Sequence, residues 1–119
     1  VSTDLVVAMP LLAFLLLLIV QFALAAHAQH IAQTAASRAL AAARAQDATA
    51  GQGSAEAADT LKLLGGKVLL APTVHVRRGA QSVAVDVRGD VVAIVPGLDL
   101  RVSGHAAGPV EKWTTDAGG

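Results

Sequence analysis

Cysteine and tyrosine are both missing from this chain, and aromatic residues number three, two Phe and one Trp. Without cysteine there is no disulfide framework, no thiolate metal site and no thiol chemistry, so the redox compartment is not written in the sequence. Excess charge is missing too. Nine Lys+Arg balance nine Asp+Glu, which leaves no positive surplus to neutralise phosphates and argues against a nucleic-acid partner. Charge of either sign is almost absent from the first third. Residues 1–37 carry Asp4 alone, and the other charged side chains all fall in 38–119. At 119 residues the chain has room for one domain, yet it is built from two physically different parts.

What the chain has in quantity is alanine, 26 residues of it, and one long uncharged run. Leu5 to Ala26 reads LVVAMPLLAFLLLLIVQFALAA, with Gln21 its only strongly polar side chain. As a helix these residues span roughly 33 Å, about the thickness of a bilayer's hydrocarbon core. Pro10 removes one backbone hydrogen bond and is expected to bend the first turns, which membrane helices tolerate better than soluble ones. Burial inside a soluble core is the weaker reading, because the 93 residues that follow are too few to wrap such a rod.

The helical pattern continues past Ala26. No Gly or Pro interrupts His27 to Gln46, and alanine, the best helix former, dominates. At 100° per residue, Ala28, Ile31, Ala32, Ala35, Ala39, Ala42 and Ala43 share one side. His30, Gln33, Ser37 and Arg44 fall opposite, with Leu40 the exception. This predicts one helix of about 45 residues, apolar all round at first and then amphipathic, with a small-residue face that allows close approach. Asp47 to Gly53 is expected to end it. The division is therefore a membrane or filament-core helix over 1–26, and an amphipathic continuation plus a small head over 27–119.

A signal peptide competes for the same residues. Ala23-Leu24-Ala25 and Ala26-His27-Ala28 both match a small-x-small cleavage site. Against it, Asp4 stands where a basic residue is expected, and the apolar run exceeds a usual signal core. A start at Val implies either upstream processing or a fragment.

Beyond residue 53 the pattern changes. Ser54 is expected to cap a short helix, with Glu56 and Asp59 near its positive end, Ala57, Leu61 and Leu64 on one face, and Gly65-Gly66 ending it. Three alternating segments follow, centred on Val74/Val76, Val83/Val85/Val87 and Leu98/Leu100/Val102. Gly79-Ala80-Gln81 makes a hairpin connection between the first two. Asp90 to Gly97 reads as a longer crossover with its apolar residues tucked under the sheet, and Val68 to Ala71, stopped by Pro72, as a short edge strand. Three amphipathic strands cannot close a sandwich. Their dry face needs the alanine face of residues 28–43. The expected fold is α+β, a long N-terminal helix packed on a small antiparallel sheet, with the apolar half of the helix left outside.

An acidic residue ahead of a long apolar helix, an amphipathic half and a small sheet is the layout of type IV pilin-like proteins. VSTDLVVAMPLLAFLLLLIVQF, from Val1 to Phe22, resembles more specifically the TadE-like family of the tight adherence pilus systems. Asp4, Pro10, Leu11 to Leu18 and Gln21-Phe22 match that family's acidic residue, proline, leucine-rich run and closing amide–Phe pair. QHIAQTAASRALAAAR, from Gln29 to Arg44, is similar to the alanine-rich continuation of the actinobacterial branch. One position departs: pilins place the acid fifth in the mature chain, as Glu, and here Asp4 stands fourth.

The resemblance implies a structural subunit of a pilus or pseudopilus. The precursor sits in the cytoplasmic membrane, a prepilin peptidase removes a basic leader, and the chain joins a helical homo-oligomer at the cell surface, together with other pilins and an assembly platform. Val1, Asp4, Pro10, Leu11, Leu12, Phe14, Leu15, Leu18 and Phe22 are then the assembly residues. Asp4 would pair with a neighbouring subunit's terminal ammonium, because a carboxylate among apolar helices is costly unless paired. The plain alternative places Asp4 among headgroups as a helix N-terminal acid.

Other candidate sites read as structural. His27 and His30 are spaced for a metal on a helix, but no third ligand is in view, and a solvated pair is expected. Asp86, Asp90 and Asp99 raise calcium, yet alternation sets Asp86 and Asp99 beside Arg88 and Arg101, which favours cross-strand ion pairs. Trp113 is read as an anchor for the terminus against the sheet. No nucleophile elbow, phosphate loop, Cys–His pair or buried carboxylate pair occurs, so neither an enzyme nor a cofactor is expected. The rival functions are a single-pass anchor carrying an extracytoplasmic binding domain, and a secreted module released near Ala25 or Ala28.

Overall fold

The structure is a computed structural model that describes residues 3–45 and 48–110. Five elements follow in order: α1 (Thr3–Arg44), α2 (Ala50–Leu64), β1 (Leu69–Arg78), β2 (Ser82–Val91) and β3 (Arg101–Pro109). α1 is a single helix of 42 residues that runs through Pro10. It gives the molecule its 82 × 26 × 20 Å extent. Val1, Asp47 and Trp113 lie outside the described residues.

The strands form one antiparallel sheet in the order β1-β2-β3. α1 lies across β3 and β2, and α2 covers β1. The core forms where the alanine face meets the sheet. Ala28, Ile31, Ala32, Ala35, Ala36, Ala39 and Ala43 are buried against Val83, Val85, Val87, Val91 and Val102, with Ala57, Leu61 and Leu69 closing the α2 side. Side chains this small bring helix and sheet into backbone contact. A Cβ added at Gly104 in β3 would fall on the Ala32 carbonyl and the Gln33 amide of α1.

The start of α2 differs from the expected Ser54. Thr49 is the N-cap, in extended conformation, and Thr49 and Gln52 form a reciprocal capping box. That box satisfies two of the helix's free N-terminal N–H groups, which offsets the roughly 1 kcal/mol that each internal glycine costs. Gly53 is also where α2 crosses α1: a Cβ there would stand 2.9 Å from the Ala43 Cβ. Glu56 and Asp59 consequently lie beyond the first turn of α2.

Two strands differ as well. β1 does not stop at Pro72. It continues through a register irregularity between Leu70 and Thr73, with Ala71 at φ 48°. An edge strand tolerates a proline, because an N–H on its outer side has no ladder partner to lose. β3 begins at Arg101 and extends to Pro109, beyond the expected 98–103. Its inward positions after Val102 are Gly104, Ala106 and Gly108, all wholly or partly covered. Glycine and alanine facing a helix backbone give no apolar alternation to read. Because β2 and β3 are antiparallel neighbours, residues 92–100 form a long hairpin connection and not a crossover, with Val95 buried inside it.

The exposed helix and its junction with the head

Among the described residues, the first half of α1 is almost wholly uncovered. Leu11, Leu12, Phe14, Leu15 and Phe22 are exposed at 46–60% of their surface. Asp4 and Pro10 are exposed and Leu18 is partly covered. A run of large side chains at such exposure is more apolar surface than water-soluble monomers ordinarily show. α1 is long and apolar enough to cross a membrane, and this half fits a membrane anchor. Eight of the nine expected assembly residues lie among the described residues of α1, from Asp4 to Phe22, seven of them before the buried Gln21.

The cover begins at Gln21, which is fully buried. Its side-chain Nε2 donates to the Val92 carbonyl at 3.0 Å, while its Oε1 accepts from the Ile94 and Val95 amides at 2.6 and 3.1 Å. Leu24 and Ala25 pack against the core just beyond. Gln21 thus ties the β2–β3 connection to the helix at the level where the bare surface ends. Sequence reasoning noted Gln21 as the lone polar residue of the run and missed this role. A side chain that can both donate and accept, isolated in an apolar run, was the available signal.

The same device recurs up the helix. Gln29 donates to the Ser103 carbonyl at 2.6 Å and accepts from the Ser103 amide at 3.2 Å. Gln33 does the same with His105, at 2.9 and 3.1 Å. Arg44 Nε donates to the Pro109 carbonyl at 2.8 Å. Gln33 and Arg44 therefore do not face away from the sheet, as the helical wheel implied. They line its β3 edge. At the far corner Arg78 of β1 donates to the Ala43 and Ala45 carbonyls, placing a cation at the negative end of α1.

The outer face of the sheet holds ion pairs, with partners different from those expected. Register sets Asp86 between His75 and His105. Its carboxylate meets His105 Nδ1 at 2.8 Å and Arg77 at 3.7 Å. The hydrogen bond from His105 holds the Asp86 carboxyl below its usual value, helped by the charges of His105, Arg77 and Arg88 and opposed by partial desolvation. Asp90 pairs with Arg101 at 3.4 Å. Asp99 precedes β3 and so is not on a strand face. His27 and His30 are exposed, and no three His, Asp or Glu side chains among the described residues are grouped to hold a metal. A depression of about 480 Å³ on the outer face is lined by Thr73, Arg88, Asp90, Arg101 and Ser103 among others.

Neither a curated protein nor a solved structure matches the chain. A family model does: the one described as TadE-like protein, over residues 1–41. The matched stretch holds the bare apolar half of α1, the Gln21 junction, and the alanine face as far as Ala39. It links the chain to pilus-related proteins through the element whose two halves differ most in exposure. Over its first 41 residues, along the helix that is bare at one end and covered by the head at the other, the chain is similar to TadE-like proteins.

Proposed function

We propose that this protein is a structural pilin-like subunit of a Tad or type IV-like pilus or pseudopilus, held in the cytoplasmic membrane before assembly and joined to its neighbours through the first half of α1. The observation that carries this reading is the contrast within one helix. Leu5 to Val20 shows large apolar side chains on every side, while residues 28–43 bury a face of alanines under the sheet. The head spends its whole dry face on the second half, so the first half needs either lipid or copies of itself. Relative to water, each 100 Å² of apolar surface buried between copies contributes about 2.5 kcal/mol before ordering costs. In lipid that drive is largely absent, so leaving the membrane needs a powered assembly platform. Asp4 pairs with a neighbouring subunit's terminal ammonium in this reading, and other pilins and a prepilin peptidase are its remaining partners.

Electron microscopy of material sheared from expressing cells, with mass spectrometry of the same pellet, tests this. Filaments containing the chain, with an N-terminus at or one residue before Val1, are expected. A chain confined to the membrane fraction with no filament would replace the pilin with an anchored extracytoplasmic domain. A soluble form beginning near His27 would replace it with a secreted module.

A further inference from the structure

The connection between β2 and β3 has no role in the proposed assembly, yet its composition is unusual for a surface loop. Between Asp90 and Asp99 it reads VVAIVPGL, with no charged residue. Ala93, Ile94 and Pro96 are exposed, Ile94 at 41%. We propose that residues 92–97 form a second membrane contact, lying in the lipid headgroup–acyl boundary beside α1 and fixing the depth at which the head sits. The inference rests on the reading of α1 as a membrane helix before assembly.

Three observations carry it. The first is length. The helix segment exposed at every residue except the partly covered Leu18, Leu5 to Val20, covers about 24 Å at 1.5 Å per residue, some 6 Å short of a typical hydrocarbon core. Four further residues make up the difference, and they begin at Gln21, where the loop is fastened to the helix. For the helix to fill the bilayer, the loop must enter the boundary with it.

The second is hydrogen bonding. Backbone groups reach lipid only when they are already paired. The Val92 carbonyl and the Ile94 and Val95 amides are taken by Gln21. The Val92 amide bonds the Val68 carbonyl, the Leu98 amide bonds the Val95 carbonyl, and Pro96 has no N–H to satisfy. Gln21 is satisfied by the same contacts. The Ala93 and Gly97 amides and the Ala93, Ile94, Pro96 and Gly97 carbonyls have no partner among the described residues, which sets the loop at the hydrated headgroup boundary and not in the acyl core.

The third is the charge around it. Lys67, Asp90, Asp99 and Arg101 are all exposed and flank the loop on the head side. Both signs stand just above an apolar tip, a distribution suited to a headgroup layer. The loop meets α1 at Gln21, where its backbone is fastened to the helix. An occupant met by the helix on one side and the loop on the other is a bilayer surface.

The chain has no cysteine, so single labels are straightforward to place. Full-length Leu12→Cys, Ala93→Cys, Ile94→Cys and Ala80→Cys variants would carry an environment-sensitive fluorophore and be reconstituted in phosphatidylcholine–phosphatidylglycerol vesicles. Lipid-borne nitroxide and aqueous iodide serve as the two quenchers. Labels at 12, 93 and 94 are expected to lose fluorescence to the lipid nitroxide, and the label at 80, on the β1–β2 turn, to iodide. If 12 responds to lipid while 93 and 94 behave like 80, the loop contact is overturned and the membrane helix stands. If 12 itself does not respond to lipid, the membrane-helix reading falls. Labels at 93 and 94 shielded from both quenchers would mean that another copy of the chain covers the loop, which also overturns the lipid contact.

Discussion

Gln29 and Ser103 exchange two hydrogen bonds: the side-chain amide of one lies against the main chain of the other as an adjacent strand would. Gln33 repeats the arrangement one helical turn on, with His105 two residues further along β3. The rise of four helix residues, about 6.0 Å, is close to that of two strand residues, about 6.8 Å, so amides four apart on a helix stay near register with alternate strand residues. The β3 edge is thereby closed by side chains of α1, where an open edge would invite pairing with another chain.

Removing this closure has a measurable cost. Each side-chain amide here makes two bonds worth about 0.5–1.5 kcal/mol net, discounted because both sites face solvent. Gln29→Ala and Gln33→Ala are each expected to lower stability by about 1 kcal/mol, a fall of several degrees in Tm for a domain of this size. The double variant is expected to self-associate through β3 as well. Thermal unfolding in detergent, with light scattering of the same samples, reads both effects. An unchanged Tm in the double variant would show that the ladder contributes only order.

Gly104 tests the backbone contact between helix and sheet. A methyl there collides with the main chain of Ala32 and Gln33, which cannot rotate away as a side chain end can. Overpacking costs typically 1–3 kcal/mol and more where backbone must move. Gly104→Ala is expected to exceed about 3 kcal/mol by that reasoning, and Gly104→Val to prevent folding of the head. Gly66, which has nothing within 4 Å of an added Cβ, is the comparison site. Circular dichroism and limited proteolysis of the three variants settle the order.

The parts of the fold that were legible are those where a side chain's chemistry and its burial agree. The alanine face from Ala28 to Ala43, the valines of β2 and the bare run from Leu5 gave one long helix, a sheet beneath it and an uncovered end. The parts that were not legible are those where the signal is geometric. Gly104, Ala106 and Gly108 face the core, but as residue types they carry no hydrophobic signature. Thr49 outcompeted Ser54 as a cap because Gln52 reciprocates, and the glycines at 51 and 53 argued the other way. Pro72 read as the stop of a short edge strand because the register irregularity that carries β1 past it, between Leu70 and Thr73, leaves no mark in the residue pattern. At the candidate site, exposure of the assembly residues was readable from their number and length of run. The Gln21 clasp was not, because its partners are three backbone groups more than seventy residues away.

Thr60 is buried, and its hydroxyl has no hydrogen-bond partner among the described residues. An unsatisfied buried polar group costs about 1–3 kcal/mol, and replacing it by an apolar group of similar shape recovers part of that. Thr60→Val is expected to stabilise the head by about 1 kcal/mol, while Thr60→Ser, which keeps the hydroxyl and opens a methyl-sized void, is expected to destabilise it. Chemical unfolding of the pair decides, because a hidden partner for the hydroxyl would reverse the sign for valine.

Asp86 makes the outer face of the sheet sensitive to acid. Its carboxyl is held below the ordinary 3.8, first by the hydrogen bond from His105 and then by the charges of His105, Arg77 and Arg88. A carboxylate whose folded value is depressed contributes stability that is fully present above its unfolded value and is lost as pH falls through the folded one. The contribution therefore persists from neutral pH down to about 4 and fades below it. Asp86→Asn removes it at every pH, so the variant is expected to be less stable than the parent near neutrality and to converge with it as pH falls through the folded value. His105→Gln keeps a donor toward Asp86 but no positive charge, and is expected to reduce the convergence without abolishing it. Melting curves of the three proteins from pH 7 to pH 2, at low and high salt, separate the hydrogen bond from the charges. The charge contribution is screened by salt and the hydrogen bond is not, so an Asn variant that tracks the parent at every pH would mean that Asp86 gains nothing on folding.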